Sequence, residues 1–330
     1  MRVCVTGSSG FIGQHLVRGL LAADCTVLGL DVRQPVETPA GFEFTLCDIL
    51  DERQLRQVLA EHATEALVHL AARTDLDEHA DLSEYAANID GVRNLVAAMR
   101  ATPSIQRAVF TSSQLVCQVG YVPQHDQDYA PTTVYGQSKV LTEQIVREAN
   151  GGDTTWCLVR PTTVWGPGMS EHFQRFFRLI YQGLYFHIGN KPVSQPYGYV
   201  DNVVHQYVQL LTAPAGEMHG KTLYVSDYEP ISLRAWTNGL QQAMAAPPIR
   251  SYPEWMARAA AKVGDGLEKL GVPGFPLTSF RLKNLITDYQ FDMTETAKLC
   301  GPLPCSMEQG IKATVSWLRS DNIIPEPRVQ

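Results

Sequence analysis

The first thirteen residues, Met1-Arg2-Val3-Cys4-Val5-Thr6-Gly7-Ser8-Ser9-Gly10-Phe11-Ile12-Gly13, restrict the fold more than any other stretch. Val3-Cys4-Val5 reads as a short buried strand. Gly7, Gly10 and Gly13 follow as a G-x-x-G-x-x-G turn, and Ile12, Leu16 and Leu20, with Val17 and Leu21, then recur at helical spacing. Strand, glycine turn and helix in that order turn backbone N–H groups and a helix N-terminus toward an anion. Glycines alone specify no more than a turn. The confirming context is an acidic residue about 20 positions on, at the end of the next strand. Asp31 closes the run Thr26-Val27-Leu28-Gly29-Leu30 and holds that place. The stretch therefore predicts a dinucleotide site.

Strand and helix patterns alternate through the first half, the mark of a doubly wound parallel sheet. Phe42 to Leu46 reads as a strand, Leu55, Val58 and Leu59 mark a helix, and residues 66–72 read as a strand with its exit loop. Tyr85, Ile89, Val92, Val96 and Met99 give an amphipathic helix, which we place over 84–100. Ala108 to Thr111 is a strand, and a helix over about 133–149 ends at Gly151-Gly152. The second half is less regular. It holds an aromatic helix (Phe173, Phe176, Phe177, Ile180, Tyr181), a strand at Thr222-Leu223-Tyr224-Val225 able to return to the sheet, and an amphipathic segment over 254–270. The expected architecture is an α/β Rossmann-type sheet domain over 1–167, with a return segment near 199–226. A smaller mixed α/β, mainly substrate-binding domain covers 168–330.

The composition excludes several classes. A chain of 330 residues with 45% hydrophobic residues has ample material for a core. The net charge of −7, without a basic block, argues against a nucleic-acid surface. No apolar run reaches membrane-spanning length, and Met1 runs straight into strand residues, leaving no room for a signal peptide. Seven cysteines without a C-x-x-C pair point to the cytoplasm and to no metal site.

Tyr135 and Lys139 sit one helical turn apart, on one face of the predicted helix. A lysine charge beside a phenol draws its pKa down from about 10, so that the oxygen can move a proton near neutral pH. A surface Tyr beside a solvated Lys is the plainer alternative. Ser112 and Ser113, just beyond the C-terminal end of a parallel strand, favour the chemical reading, because ligands bind at that edge.

These residues resemble the extended short-chain dehydrogenases/reductases, the NAD-dependent epimerase/dehydratase family, over almost the whole chain. The carriers are Thr6 to Gly13, Asp31, Asp48-Ile49, His69-Leu70-Ala71-Ala72, Asn88, Ser113, Tyr135/Lys139 and Arg160-Pro161-x-x-Val164-Trp165-Gly166-Pro167, with the C-terminal run from Leu299 to Trp317. The resemblance implies NAD held by Gly7, Gly10, Phe11, Ile12, Gly13, Asp31, Asp48, Ile49, Leu70, Ala71, Ala72, Asn88, Thr111, Tyr135, Lys139, Pro161, Thr163 and Val164. It implies that Ser113 orients a substrate hydroxyl, that Tyr135 moves its proton, and that Lys139 binds the nicotinamide ribose. Hydride then passes between a C–OH carbon and the nicotinamide. His69 falls in a packing motif. Arg33, two residues after Asp31, can reach a 2′-phosphate and keeps NADP open.

Two departures narrow the reading. Dehydratases of the family carry Asp-Glu directly after the position of Ser113; Gln114 and Leu115 stand there, so dehydration is not expected. Members acting on nucleotide sugars usually place an arginine where this chain has Gln195, ahead of Tyr197-Gly198-Tyr199-Val200. Arg175, Arg178 or Lys191 would then neutralise a diphosphate, with Gln114 and Tyr197 as further substrate contacts. The segment Tyr199-Val200-Asp201-Asn202-Val203-Val204-His205 also looks like that of 3β-hydroxysteroid dehydrogenases. The expected function is an NAD-dependent sugar-nucleotide epimerase or reductase, homodimeric through the helices over 84–100 and 133–149. The alternatives are a dehydrogenase or ketoreductase of a hydrophobic alcohol and a non-catalytic NAD-binding sensor.

Overall fold

A computed structural model of the chain describes residues 1–76, 80–270 and 277–325. They form two compact units, each assembled from separate stretches of chain: Met1–Val164, Gly198–Tyr228 and Phe291–Pro304 in the first, Trp165–Tyr197, Glu229–Gln290 and Cys305–Gln330 in the second.

The first unit is built on seven strands: β1 (Arg2–Thr6), β2 (Thr26–Asp31), β3 (Phe42–Leu46), β4 (Ala66–His69), β5 (Arg107–Thr111), β6 (Thr155–Pro161) and β7 (Thr222–Val225). All pair in parallel, in the order β7-β6-β5-β4-β1-β2-β3. The order reverses beside β1, which sets the glycine turn at the switch point where such sheets bind ligands. The central strands are apolar on both faces because helices cover both. Val3, Cys4, Val5, Leu67, Val68, Ala108 and Val109 are fully buried.

Four helices matter to the site: α1 (Phe11–Ala22), α2 (Glu52–Glu61), α3 (Ala86–Arg100) and α4 (Val134–Ala149). Asp51 caps α2 by accepting from the Gln54 N–H, and Thr133 caps α4 by accepting from Gly136. The helix predicted over 84–100 divides into a 3-10 turn (Leu82–Tyr85), with a reciprocal Asp81/Glu84 capping box, and α3 proper. Asn150, in left-handed conformation at φ 48°, caps α4 ahead of Gly151-Gly152.

The stripe Tyr85, Val92, Val96 and Met99 is packed within the chain: all four are at most 6% exposed, while Ile89 stays half-buried. Residues 291–304, assigned to the substrate half, pack with the sheet unit. There the Thr296 hydroxyl donates to the Tyr224 carbonyl, and the Tyr224 and Phe291 rings stack at 3.8 Å.

In the second unit the indole of Trp236, on the helix Leu233–Met244, is the hub of an aromatic core. Phe176 stacks on it at 5.5 Å, while Trp165, Phe177 and Tyr197 meet it edge-on. Of the aromatic helix Glu171–Tyr181, Phe177 and Ile180 are buried, Phe176 and Tyr181 are half-buried, and Phe173 lies at the surface. Among the described residues no helix is long and apolar enough to cross a membrane.

Candidate active site

The glycine turn is shaped by contacts that no side chain would survive. Gly7 has φ +72°, and a Cβ there would lie 2.6 Å from the Ala71 nitrogen; on Gly13 it would lie 2.1 Å from the Gly7 carbonyl oxygen. Gly10 differs. Its Cβ would meet only the Gly7 carbonyl oxygen, at 3.2 Å, so its space lies on the open side of the turn. Gly10 is the N-cap of α1, and no side chain caps that helix, which also has no acid in its first turn. The first-turn N–H groups and the positive helix end are thus left for an anion. Asp31 is held at the end of β2 by the Ser9 and Arg33 N–H groups, both at 3.0 Å, one to each carboxylate oxygen. Each oxygen keeps a lone pair for a ribose hydroxyl. The cradle fits a dinucleotide.

Other predicted contacts divide. Asp48 is exposed and accepts from the Leu50 N–H, while Ile49 is buried against Gly91. Leu70, Ala71 and Ala72 are half-buried in the loop after β4, beside the glycine turn. Asn88 is fully buried and its amide is spent. It accepts from the Arg73 N–H at 2.8 Å and donates to the Arg73 carbonyl and to Ser138 Oγ. This residue pins the 70–73 loop to α3 and α4. The Pro161, Thr163 and Val164 segment leaves β6 in the same unit, where the Gln114 amide donates to the Thr163 hydroxyl at 3.3 Å. His69 is fully buried, shares a hydrogen bond with the Thr6 hydroxyl at 2.8 Å, and is held neutral, its pKa lowered to about 3 by burial and the Lys139 charge. It packs, as its motif implies.

At the end of β5, Ser113 opens a 3-10 turn, its Oγ accepting from the Leu115 N–H at 3.1 Å. The first turn of α4 lies against that turn: a Cβ on Gly136 would sit 2.3 Å from the Leu115 carbonyl oxygen. This close approach sets Tyr135 beside Ser113. Lys139 Nζ donates to the Thr111 carbonyl at 2.9 Å. All three side chains are buried.

The electrostatics differ from the expectation in one respect. Burial pushes the Tyr135 phenol up to about 12, against the smaller downward pull of the neighbouring Ser113 hydroxyl. The lysine that should lower it is turned to Thr111 and is itself brought down to about 8 by burial, opposed by Glu143. Gly136, Ser138 and Thr142 were not singled out in the sequence. The Thr142 hydroxyl donates to the Asn88 carbonyl at 2.6 Å, so α4 presents a polar face to α3 that an apolar periodicity does not reveal.

The candidate substrate residues of the second unit also divide. Gln195 is buried, and its amide donates to the carbonyls of Asn284 and Thr287, at 3.1 and 2.7 Å. It secures the C-terminal end of the helix Ser279–Ile286, a structural task in place of an arginine's charge. Arg178 lies 3.9 Å from the Glu171 carboxylate, and Arg175 and Lys191 are exposed.

Residues 3–226 match the family model for the NAD dependent epimerase/dehydratase family. The chain belongs to that family. It is accordingly an NAD-dependent epimerase or oxidoreductase of the extended short-chain dehydrogenase/reductase type. The chain is 28% identical, over 94% of its length and 98% of the relative's, to 2-alkyl-3-oxoalkanoate reductase of Stenotrophomonas maltophilia. It is 26% identical, over 96% of its length and 94% of the relative's, to the N-acetyl-alpha-D-glucosaminyl-diphospho-ditrans,octacis-undecaprenol 4-epimerase of Escherichia coli O157:H7. Its fold is similar to that of Bacillus cereus UDP-glucuronic acid 4-epimerase, solved with UDP-glucuronic acid and NAD. The TM-score is 0.75 at 20% identity, covering 96% of this chain and 99% of that one.

Proposed function

We propose that the protein is an NAD-dependent sugar-nucleotide epimerase or reductase, acting at a C–OH carbon with Ser113, Tyr135 and Lys139 as its proton relay. The observation that carries this is the close approach of the first turn of α4 to the Ser113 turn, which sets Tyr135 and Ser113 together at the C-terminal edge of β5, in the same unit as the glycine cradle. NAD supplies the acceptor and donor of a hydride. Ser113 holds the substrate oxygen; the protonated Tyr135 gives its proton to a developing alkoxide, and the tyrosinate so formed takes a proton back from a hydroxyl when hydride moves the other way. A sensor without turnover would not need this relay. Sugar-diphosphate chemistry is supported by the diphospho-undecaprenol 4-epimerase relative, and a diphosphate would call for a cation such as Arg175, Arg178 or Lys191.

A second reading, a ketoreductase of a hydrophobic substrate, is favoured by one observation. Gln195 is committed to main-chain carbonyls and brings no charge where a diphosphate would need one. The 3-oxoalkanoate reductase relative points the same way. A thermal-shift screen of UDP-sugars against 3-oxoacyl compounds and 3β-hydroxysteroids, each with NAD, separates the two, because a ligand of the folded state raises Tm. Stabilisation by the apolar compounds alone would reject the nucleotide-sugar reading. Release of stoichiometric NADH would reject an epimerase.

We further place the protein in the cytoplasm as a homodimer built on α3 and α4. With the buried stripe spent internally, the contact would rest on the half-buried Ile89, Val140, Leu141 and Ile145. Sedimentation of a 36.6 kDa species alone at micromolar concentration would refute the dimer.

A further inference from the structure

Tyr135, Lys139 and Glu143 stand on successive turns of one face of α4, and each engages the exit of β5 at a different residue. Tyr135 meets Ser113, Lys139 donates to the Thr111 carbonyl, and Glu143 Oε1 accepts from the Ser112 hydroxyl at 2.6 Å. Glu143 is fully buried. So is Arg160 of β6, 1% exposed, whose guanidinium forks onto the carboxylate at 2.7 and 2.8 Å. Tyr129 donates to Glu143 Oε2 at 2.9 Å, and Arg160 also donates to the Asp126 carbonyl, tying the 126–129 loop to the same hub. Arg147 Nη2 lies 3.7 Å from Oε2.

An ion pair buried this deeply adds little net stability over an apolar pair of similar volume. Its value lies in what it holds in place. We propose that Glu143 is a positioning residue: oriented by Arg160, its carboxylate fixes the register of α4 against Thr111, Ser112 and Ser113, and supplies the counter-charge of the Lys139 ammonium. This rests on the reading that Tyr135 and Lys139 serve proton transfer.

The surroundings of Lys139 single out Glu143 as its source of negative charge. On β4, His69 is buried and neutral. From the helix Val200–Thr212 comes Tyr207, which shares a hydrogen bond with the Thr111 hydroxyl at 2.8 Å and is kept protonated by burial. Asn88 of α3 is neutral, and Tyr135 is protonated. Burial lowers the Lys139 pKa to about 8, and the Glu143 charge opposes that fall. Arg160 and Arg147 offset part of this charge without removing it.

The test is an NMR titration of Lys139 in protein carrying [13Cε]lysine, with the resonance assigned by its loss in Lys139→Met. Glu143→Gln leaves Arg160 buried and unpaired and is the variant at risk of misfolding. The double variant Glu143→Gln/Arg160→Met removes both charges together and should fold. In it Lys139 should titrate lower than in the wild type by about one pKa unit or more, a tenfold change in its deprotonation constant. Glu143→Asp, which keeps the charge but withdraws it by one methylene, should give a smaller shift in the same direction. A Lys139 titration unchanged in either folded variant overturns the proposal. The reading beneath it fails separately, if Tyr135→Phe retains turnover while the lysine shifts as expected.

Discussion

The glycine turn supports a prediction in which two near-identical substitutions have opposite consequences. Gly13→Ala places a methyl 2.1 Å from the Gly7 carbonyl oxygen and 2.9 Å from two Ser8 backbone atoms. All three neighbours are main chain, so no rotamer change relieves the overlap. The gain of about 1 kcal/mol from removing a helical glycine is small beside it. Overpacking of well-packed sites costs about 1–3 kcal/mol, occasionally more, and rigid neighbours set this site toward the upper end. Gly13→Ala should lose that stability and show a lowered Tm. Gly10→Ala meets a single atom at 3.2 Å, and φ −77° at that position suits alanine. Its cost to the fold is the N-cap preference of glycine over alanine, about 1 kcal/mol or less. The methyl stands on the open side, where a pyrophosphate must approach the first-turn N–H groups. Loss of one hydrogen bond to a charged group is worth about 1.5–3 kcal/mol, so NAD should bind roughly 10- to 150-fold more weakly. Calorimetric titration of NAD, paired with thermal melts, reads both effects. Gly10→Ala protein that binds NAD like the wild type would refute the assignment of the cradle.

Tyr135→Phe should lower turnover by about 10²–10⁴-fold while NAD affinity stays nearly intact, since only the proton-carrying oxygen is lost; steady-state kinetics with parallel NAD titration checks it. Asp31→Ala should weaken NAD more than NADP, because the carboxylate fixed by Ser9 and Arg33 repels a 2′-phosphate; tighter binding of NADP by the unaltered protein would contradict this. His69 is buried neutral with its pKa lowered to about 3, so the unfolded chain takes up a proton there that the fold refuses. Its contribution to stability is present above about pH 6.5 and is lost as pH falls toward 3, at about 1.4 kcal/mol per pH unit. Urea melts between pH 4 and 7 should show a shallower slope in His69→Gln than in the wild type.

The sheet unit was legible because its signals are local. Asp31 at the end of a strand, a glycine turn at Gly7 to Gly13 and apolar runs of strand length each report their own neighbourhood, and parallel strands buried on both faces need little else. The α4 face carrying the relay was harder to read. Positions 135, 138, 139, 142 and 143 form a helical stripe, all buried, yet their residues are Tyr, Ser, Lys, Thr and Glu. A search for apolar periodicity passes over such a stripe. Only the Tyr–Lys spacing marked it, and the partners of Ser138, Thr142 and Glu143 come from α3, β5 and β6, far away in sequence.

The polar stripe also explains why the simple electrostatic expectation for Tyr135 failed. Spacing on a helix fixes where two side chains start, one turn apart, but not which acceptor each finds. Lys139 found the Thr111 carbonyl, which no local pattern could announce, and burial then set the direction of the phenol's shift. Gln195 shows the same limit in the second unit. Its position in the motif suggested a replaced anion ligand, whereas its amide closes the carbonyl end of a helix some ninety residues later in the chain. In both cases the residue type was readable and its partner was not. A long polar side chain in a buried place goes to the nearest unsatisfied backbone group, since leaving that group unpaired costs about 1–3 kcal/mol. For Lys139 that demand agrees with the proposed chemistry, because the carbonyl it satisfies belongs to the strand that delivers Ser113. For Gln195 it competes with the expected task, because an amide held by two main-chain carbonyls brings no charge to a diphosphate.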